Sequence, residues 1–279
     1  MIEVIHKNFF LEGMIFMNYE RVLVVGDIHS HYKKFISLYK KLNVDHQKDL
    51  LIFLGDYIDR GESSEEIINM LKFIIDEAKK PNVICLLGNH EQMMIDFFDK
   101  DNYGWIFPGN GGQETLKAIR EWMKSDESCV ARILEFVDIC KLFYQITING
   151  KNYFLCHAGV DYRNSLDKQT GEALLWYREK FFMTYNGDTI IVGGHTPLQM
   201  LKPESEYMPN YDESEYTPDG RFNFDKNIWR SNSEALKITD CKPQWRRNRK
   251  ILMMDTGSFL PKGFISCIDL VSGKIFQSD

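Results

Sequence analysis

The sequence contains six cysteines (Cys85, Cys129, Cys140, Cys156, Cys241, Cys267) but no C-x-x-C pair among them. This excludes a cysteine-ligated zinc module and a thioredoxin-type motif, and reads as buried free thiols in a reducing compartment. No apolar run reaches the length of a membrane span, and the N-terminal apolar patch is broken by Glu3, Lys7 and Glu12 without a basic n-region or an A-x-A site. Basic charge is also in short supply. The net charge is −6 and the pI about 5.7, so the footprint of a general nucleic-acid binder is missing. There is no internal repeat and no low-complexity tract. What remains is a globular protein, expected in the cytoplasm, without membrane association or stable nucleic-acid binding.

With 279 residues, 44 % of them hydrophobic and 13 % aromatic, the chain can bury a substantial core as one domain spanning 1–279. It is organised around 51–61, LIFLGDYIDRG. Four apolar residues suited to a buried parallel strand run into a polar turn holding Asp56, Asp59 and Arg60. Two other apolar runs end in the same way, 22–25 in Gly26-Asp27-Ile28-His29 and 83–87 in Gly88-Asn89-His90-Glu91. Between them, 32–42 and 62–78 carry apolar residues at helical spacing, and the resulting β-α-β-α-β alternation predicts a parallel sheet with right-handed crossovers. Polar turns at the carboxyl ends of such strands are where open α/β sheets bind ligands.

Further along, Met93, Met94, Phe97 and Phe98 read as core packing, and 113–124 and 129–139 as helices. Asn149-Gly150 predicts a hairpin between 142–148 and 152–156 that runs into His157, and a short helix follows at 172–180. The run 189–192 ends in Gly193-Gly194-His195, and 251–254, 264–270 and 274–277 read as strands. Two segments stand apart. Residues 1–16 are expected to be an extension outside the main sheet or an upstream start. The polar stretch 198–249, acidic at first and basic around Trp245, is expected to be an insert near the active site that lines or covers it.

Four of the seven histidines, His29, His90, His157 and His195, fall just past strand-like runs and beside glycine or acid. Any one alone would more often be structural; four placed alike point to a site. Asp27, His29, Asp56, Asn89, His157 and His195 make six oxygen and nitrogen donors, a set suited to Mn, Fe or Zn rather than Ca or Mg. One tetrahedral ion would leave donors over, whereas two ions sharing a carboxylate use them all, with Asp56 on the middle turn as the natural bridge. A pair of ions about 3.5–4 Å apart activates water and clamps a phosphoryl group, so the expected chemistry is phosphoester hydrolysis.

GDIH at 26–29, GDYIDRG at 55–61, GNHE at 88–91, HAG at 157–159 and GHT at 194–196 resemble, in order, the motif set of calcineurin-like metallophosphoesterases. The likeness is specifically to the phosphoprotein phosphatase (PPP) family and its bacterial and phage lambda-type branch, and Asp255-Thr256-Gly257 resembles that family's late strand-end motif. The resemblance implies an α/β fold, a four-layer α/β/β/α sandwich with metals where the two sheets meet. It assigns Asp27, His29 and Asp56 to a first metal and Asp56, Asn89, His157 and His195 to a second, both divalent and expected to be Mn2+, with Fe or Zn as alternatives. It makes His90 the general acid oriented by Asp59, and Arg60 and Arg178 the phosphate-holding arginines. The implied activity is that of a serine/threonine protein phosphatase using a metal-activated water without a phosphoenzyme, with a phosphoprotein or small phosphoester as substrate. Ser30 departs from the family's usual glycine, 109–117 (GNGGQETLK) resembles the bacterial branch, and 198–249 exceeds the bacterial pattern.

A symmetrical diadenosine tetraphosphatase resembles the same motif set, but that subgroup typically lacks the acid that Asp59 supplies. A nucleic-acid or cyclic-nucleotide phosphodiesterase has only the basic residues around Trp245 in its favour. A catalytically silent binding module would be expected to have lost ligands, and all six are present.

Overall fold

Arg21–Val25, the first apolar run, is buried on both faces as a strand, which is why its sequence does not alternate with polar residues. The computed structural model describes residues 4–6, 19–202 and 232–279. Among these, one sheet has the order β11-β10-β2-β3-β4. Here β2 is Arg21–Val25, β3 Asp49–Phe53, β4 Val83–Cys85, β10 Ser266–Asp269 and β11 Ile275–Gln277. The second sheet has the order β1-β5-β6-β7-β9-β8, with β1 Val4–His6, β5 Phe143–Ile148, β6 Lys151–Cys156, β7 Ile190–Gly193, β8 Gln244–Arg246 and β9 Ile251–Met253. Strands β2, β3 and β4 are parallel to one another, as are β6, β7 and β9.

Three hydrophobic clusters define four layers. Leu23, Val25, Leu51 and Phe53 face helices α1 (Tyr32–Leu42), α2 (Ser64–Glu77), α4 (Gly112–Met123) and α5 (Cys129–Ile139). The alternate residues Val22, Val24, Leu50 and Ile52 face the other sheet and pack with Leu155, Val192, Leu252 and Met254. On that sheet's far side, Phe154, Cys156, Ile191 and Ile251 meet α6 (Gly171–Trp176) and α7 (Glu179–Thr184) through Leu174, Phe181 and Phe182. The α/β/β/α layering is thus the period-two pattern of each strand carried through two sheets. Helix α3 (Asn89–Lys100) begins directly at the end of the β4 segment, and a short helix α8 spans Asn232–Ala235.

Asn149 and Gly150 both take positive φ, 50° and 75°, closing the β5–β6 hairpin. Two expectations change. The residues Val4–His6 are not outside the sheets but pair with β5 at the edge of the second one. The helix expected at 172–180 is broken into α6 and α7, and Arg178 sits in the break with φ −128° and ψ −98°. Of 198–249, residues 203–231 lie outside the described residues, but the basic end is structural: β8 pairs with β9, Arg246 is buried and donates to the Lys202 carbonyl, and the Arg249 guanidinium lies over the Trp245 ring.

Helix α2 shows how local chemistry sets an element. Its inward residues Ile67, Met70, Leu71, Ile74 and Ile75 follow the helical repeat, and Ser63 caps it by accepting the Glu66 N–H at 3.2 Å. Ser63→Ala is expected to lower the unfolding free energy by about 1 kcal/mol, read as a lower urea midpoint at unchanged m-value.

Candidate active site

The parallel strands of both sheets send their carboxyl ends to one place, where side chains from opposite sheets hydrogen-bond. From the first sheet come Asp27 and His29 after β2, Asp56 after β3, and Asn89 and His90 at the start of α3; from the second, His157 after β6 and His195 after β7. All are buried. Backbones approach so closely that two glycines are obligatory. A Cβ at Gly88 would lie 2.2 Å from the Asp56 nitrogen and Oδ1, and one at Gly194 would lie 2.0 Å from Asp27 Oδ1.

Five of the six donors predicted from sequence, His29, Asp56, Asn89, His157 and His195, are brought together, and Asp27 stands beside them, outside both close groups. Asp56 stands between two groups whose ligand atoms lie within 4.8 Å of one another, one with His29 and His90 and the other with His157 and His195. Its Oδ2 is 3.5 Å from His29 Nε2, and its Oδ1 is 3.4 Å from His157 Nε2. His29 Nδ1 donates to the Ile58 carbonyl at 3.1 Å and His157 Nδ1 to the Leu54 carbonyl at 2.9 Å, which turns both Nε2 lone pairs inward. Asn89 Oδ1 lies 2.9 Å from His157 Nε2 and 2.8 Å from His195 Nδ1. Asp27 enters from the other side and accepts the His195 amide.

Electrostatics test whether cations fit this nest. Burial holds His29, His157 and His195 below the ordinary imidazole range, with Arg60 and Arg178 adding to the effect at His29 and His195 respectively. Each shift favours the neutral imidazole, the form in which a histidine binds a metal. Asp27 is pushed well above the usual carboxyl range by burial and then by the carboxylates of Asp255 and Asp56. Burial raises Asp255 to about 6, with Asp56 adding to it. At Asp56 burial pulls upward, but His157, His90 and Arg60 outweigh it and hold that carboxyl low. Asp255 Oδ2 and His195 Nε2 are buried without a hydrogen-bond partner. Crowded carboxylates with inward-facing neutral imidazoles and a bare oxygen are a donor set that divalent cations satisfy.

Beside this nest, His90 Nε2 lies 4.0 Å from Asp56 Oδ2, and its Nδ1 donates to Asp59 Oδ2 at 2.6 Å. Arg60 Nη1 donates to His29 Nε2 at 2.7 Å, and its guanidinium lies 4.2 Å from the Phe259 ring centroid. Arg178, reaching in from the α6–α7 break, donates to the His195 carbonyl at 2.9 Å and to Thr196 Oγ1 at 3.0 Å. A pocket of about 400 Å³ opens over these groups, lined by Asp56, His90, Arg60, Arg178 and His195 and walled by Trp105, Phe107 and Trp176. Next to Arg178, a second cavity of about 480 Å³ is bordered by Pro197, Met200, Ala235, Leu236, Phe259 and Leu260.

Sequence reading missed four contributors. From sequence, Asp255 is visible only as part of a strand-end motif. Glu91, within GNHE, accepts the amides of Asp56 and Gly88 on Oε2 and those of Tyr57 and Ile58 on Oε1. Trp105 and Thr115 both donate to Asp59; Thr115 lies within the 109–117 likeness, and no motif covers Trp105. Backbone strain gathers here as well: His29, Asp56, Asp59, Arg60 and His195 all have φ between 51° and 70°. Ser30 joins them at φ 58°, its amide held by the Tyr57 carbonyl, so the turn forms without the glycine usual there.

Comparison with known proteins agrees with this geometry. A family model described as calcineurin-like phosphoesterase matches residues 20–234. A serine/threonine-protein phosphatase 2 of Salmonella typhimurium is 27 % identical over 176 residues, covering 61 % of this chain and 73 % of its own. An asymmetrical bis(5'-nucleosyl)-tetraphosphatase of Anoxybacillus flavithermus is 28 % identical over 204 residues, covering 63 % and 78 %. A solved structure of a cold-active protein tyrosine phosphatase superposes with a TM-score of 0.54 at 16 % identity, covering 93 % of this chain and 79 % of that one, and so shares the fold. A family match over most of the chain, joined to the two donor groups that share Asp56, leads to one conclusion: the protein belongs to the calcineurin-like phosphoesterase family.

Proposed function

We propose that this protein is a divalent-metal-dependent phosphomonoesterase acting on phosphoserine and phosphothreonine in proteins. The observation that carries the reading is Asp56 shared between two histidine-containing donor groups, with the His90–Asp59 pair alongside. Asp27, His29 and Asp56 would hold one cation and Asp56, Asn89, His157 and His195 the other, with Mn2+ the expected metal. Bound there, the cations make water easier to deprotonate and neutralise charge on phosphoryl oxygens.

This chain's own residues supply the rest. Arg60 and Arg178 present guanidinium donors to the pocket and would hold the phosphoryl group by paired hydrogen bonds. His90, its Nδ1 fixed on Asp59, turns Nε2 toward the site, where it can give a proton to the departing alkoxide. Burial of the surrounding groups keeps bulk water from competing with these contacts.

Pocket composition bears on substrate. Beyond His90 the wall is Met93, Asp96, Asn102, Trp105, Phe107 and Asn110, and Asp96 is the one charged side chain among them. Among the described residues, nothing in that wall neutralises a chain of further phosphates, whereas a peptide leaving group needs no such charge. This favours a phosphoprotein over a dinucleoside tetraphosphate.

His90→Asn is expected to lower kcat by about 10²- to 10⁴-fold on a phosphoserine peptide and by much less on p-nitrophenyl phosphate, whose leaving group needs no proton. Equal losses in initial-rate assays would refute the acid role. Adding Mn2+ at about 100 times its Kd should stabilise the fold by about 2.7 kcal/mol, visible as a higher Tm that a chelator reverses and Asp56→Asn abolishes. In rate comparisons with Mn2+, the phosphoserine peptide should be turned over in preference to diadenosine tetraphosphate; the reverse order would move the function to nucleotide hydrolysis.

A further inference from the structure

The Asp59 carboxylate is wholly buried, and its oxygens are held by more than the histidine it serves. Oδ2 accepts from His90 Nδ1 at 2.6 Å and from Trp105 Nε1 at 2.8 Å. Oδ1 accepts from Thr115 Oγ1 at 2.6 Å. The same Thr115 oxygen accepts the Asp59 amide at 3.2 Å, so one hydroxyl grips both ends of a residue whose φ is 70°. Burial alone raises the Asp59 carboxyl, and the three donors oppose it in the order His90, Thr115, Trp105.

Neither support comes from the turn that carries Asp59. Trp105 lies in a single turn of tight helix, Tyr103–Ile106, and Thr115 in the first turn of α4. The indole is fully buried, with the rings of Phe97 and Phe98 at 5.4 and 6.0 Å, and Gly112 leaves it room: a Cβ there would come within 2.8 Å of the ring. Such packing fixes the direction of the N–H. A carboxylate clamped on both oxygens cannot rotate, so only one lone-pair direction is offered to His90, and that direction sets the imidazole plane.

We propose that Trp105 and Thr115 are positioning residues for proton donation to the leaving group, acting through Asp59 on His90. The proposal rests on the acid role given to His90 above. Without the threonine hydroxyl the carboxylate swings, the imidazole loses its fixed plane, and proton delivery falls while phosphate binding by Arg60 and Arg178 is untouched. The effect therefore belongs in kcat, and only for substrates whose leaving group needs the proton.

The test compares Thr115→Val, Thr115→Ser and Trp105→Phe in the Mn2+-loaded enzyme, on a phosphoserine peptide and on p-nitrophenyl phosphate, with His90→Asn as control. For Thr115→Val and Trp105→Phe, kcat on the peptide should fall about ten- to a hundred-fold, part of the ~10²- to 10⁴-fold that a general acid contributes. For Thr115→Val, KM should stay within about twofold; loss on p-nitrophenyl phosphate should be several-fold smaller for both, and Thr115→Ser, which keeps the hydroxyl, should restore the peptide rate. In an Asp59→Asn background, Thr115→Val should cost nothing more on the peptide. Equal losses on both esters, or the full Thr115→Val loss persisting beside Asp59→Asn, would overturn the proposal while a leaving-group-dependent His90→Asn left the acid role standing. If His90→Asn also struck both esters equally, the acid role would fall and this inference with it.

Discussion

A single buried carboxylate holds the candidate site in shape. Glu91 takes four amide N–H groups, from Gly88 at the start of α3 and from Asp56, Tyr57 and Ile58 in the turn after β3. Those amides would otherwise point into a dry interior with no partner, at about 1–3 kcal/mol each. Burial and the neighbouring Asp56 raise the Glu91 carboxyl to about 8, while the Ile58 and Tyr57 amides pull against them. The same four bonds lock two strand ends together, and so place Asp56 under the first turn of α3, where its Oδ1 accepts the His90 amide. Left-handed backbone at Asp56, Asp59 and Arg60 is tolerable only because the turn is tied at this point.

Strain and charge crowding share a logic. Asp27, Asp56 and Asp255 are carboxylates that burial and mutual repulsion would push toward neutrality, yet they converge on neutral imidazoles and on two arginines. A fold kept for stability alone would not collect such groups. Here their cost is spread over three well-packed layer interfaces, and the site's charges meet at the edge where the strands end.

Much of this was legible in the sequence because the chemistry sits at strand ends. An apolar run that stops at a glycine and then shows Asp, Asn or His announces both the strand and its cargo; five donors could be named that way, and His157, with Gly159 just after it, by the same placement at a run's end. Trp105 and Thr115 could not: they lie 46 and 56 residues from Asp59 and carry no sign of their partner. Glu91 was visible as a letter in a motif, but its role is to receive backbone amides, which no side-chain pattern reports. The break at Arg178 was hidden because α6 and α7 are both short and apolar enough to look like one helix. Strands β1 and β8 have three residues each, too few to show a period.

The donors are divided between two sheets that face each other across a layer of apolar side chains. Val24, Ile52 and Leu54 on one side and Leu155, Val192 and Met254 on the other therefore act as a spacer, and their summed thickness sets how far His157 and His195 stand from Asp56. Packed interiors do not compress, so a methylene gained or lost in that layer alters the gap between halves of the site. Drift in those apolar residues is thus a way for the protein to retune its chemistry without touching a single ligand.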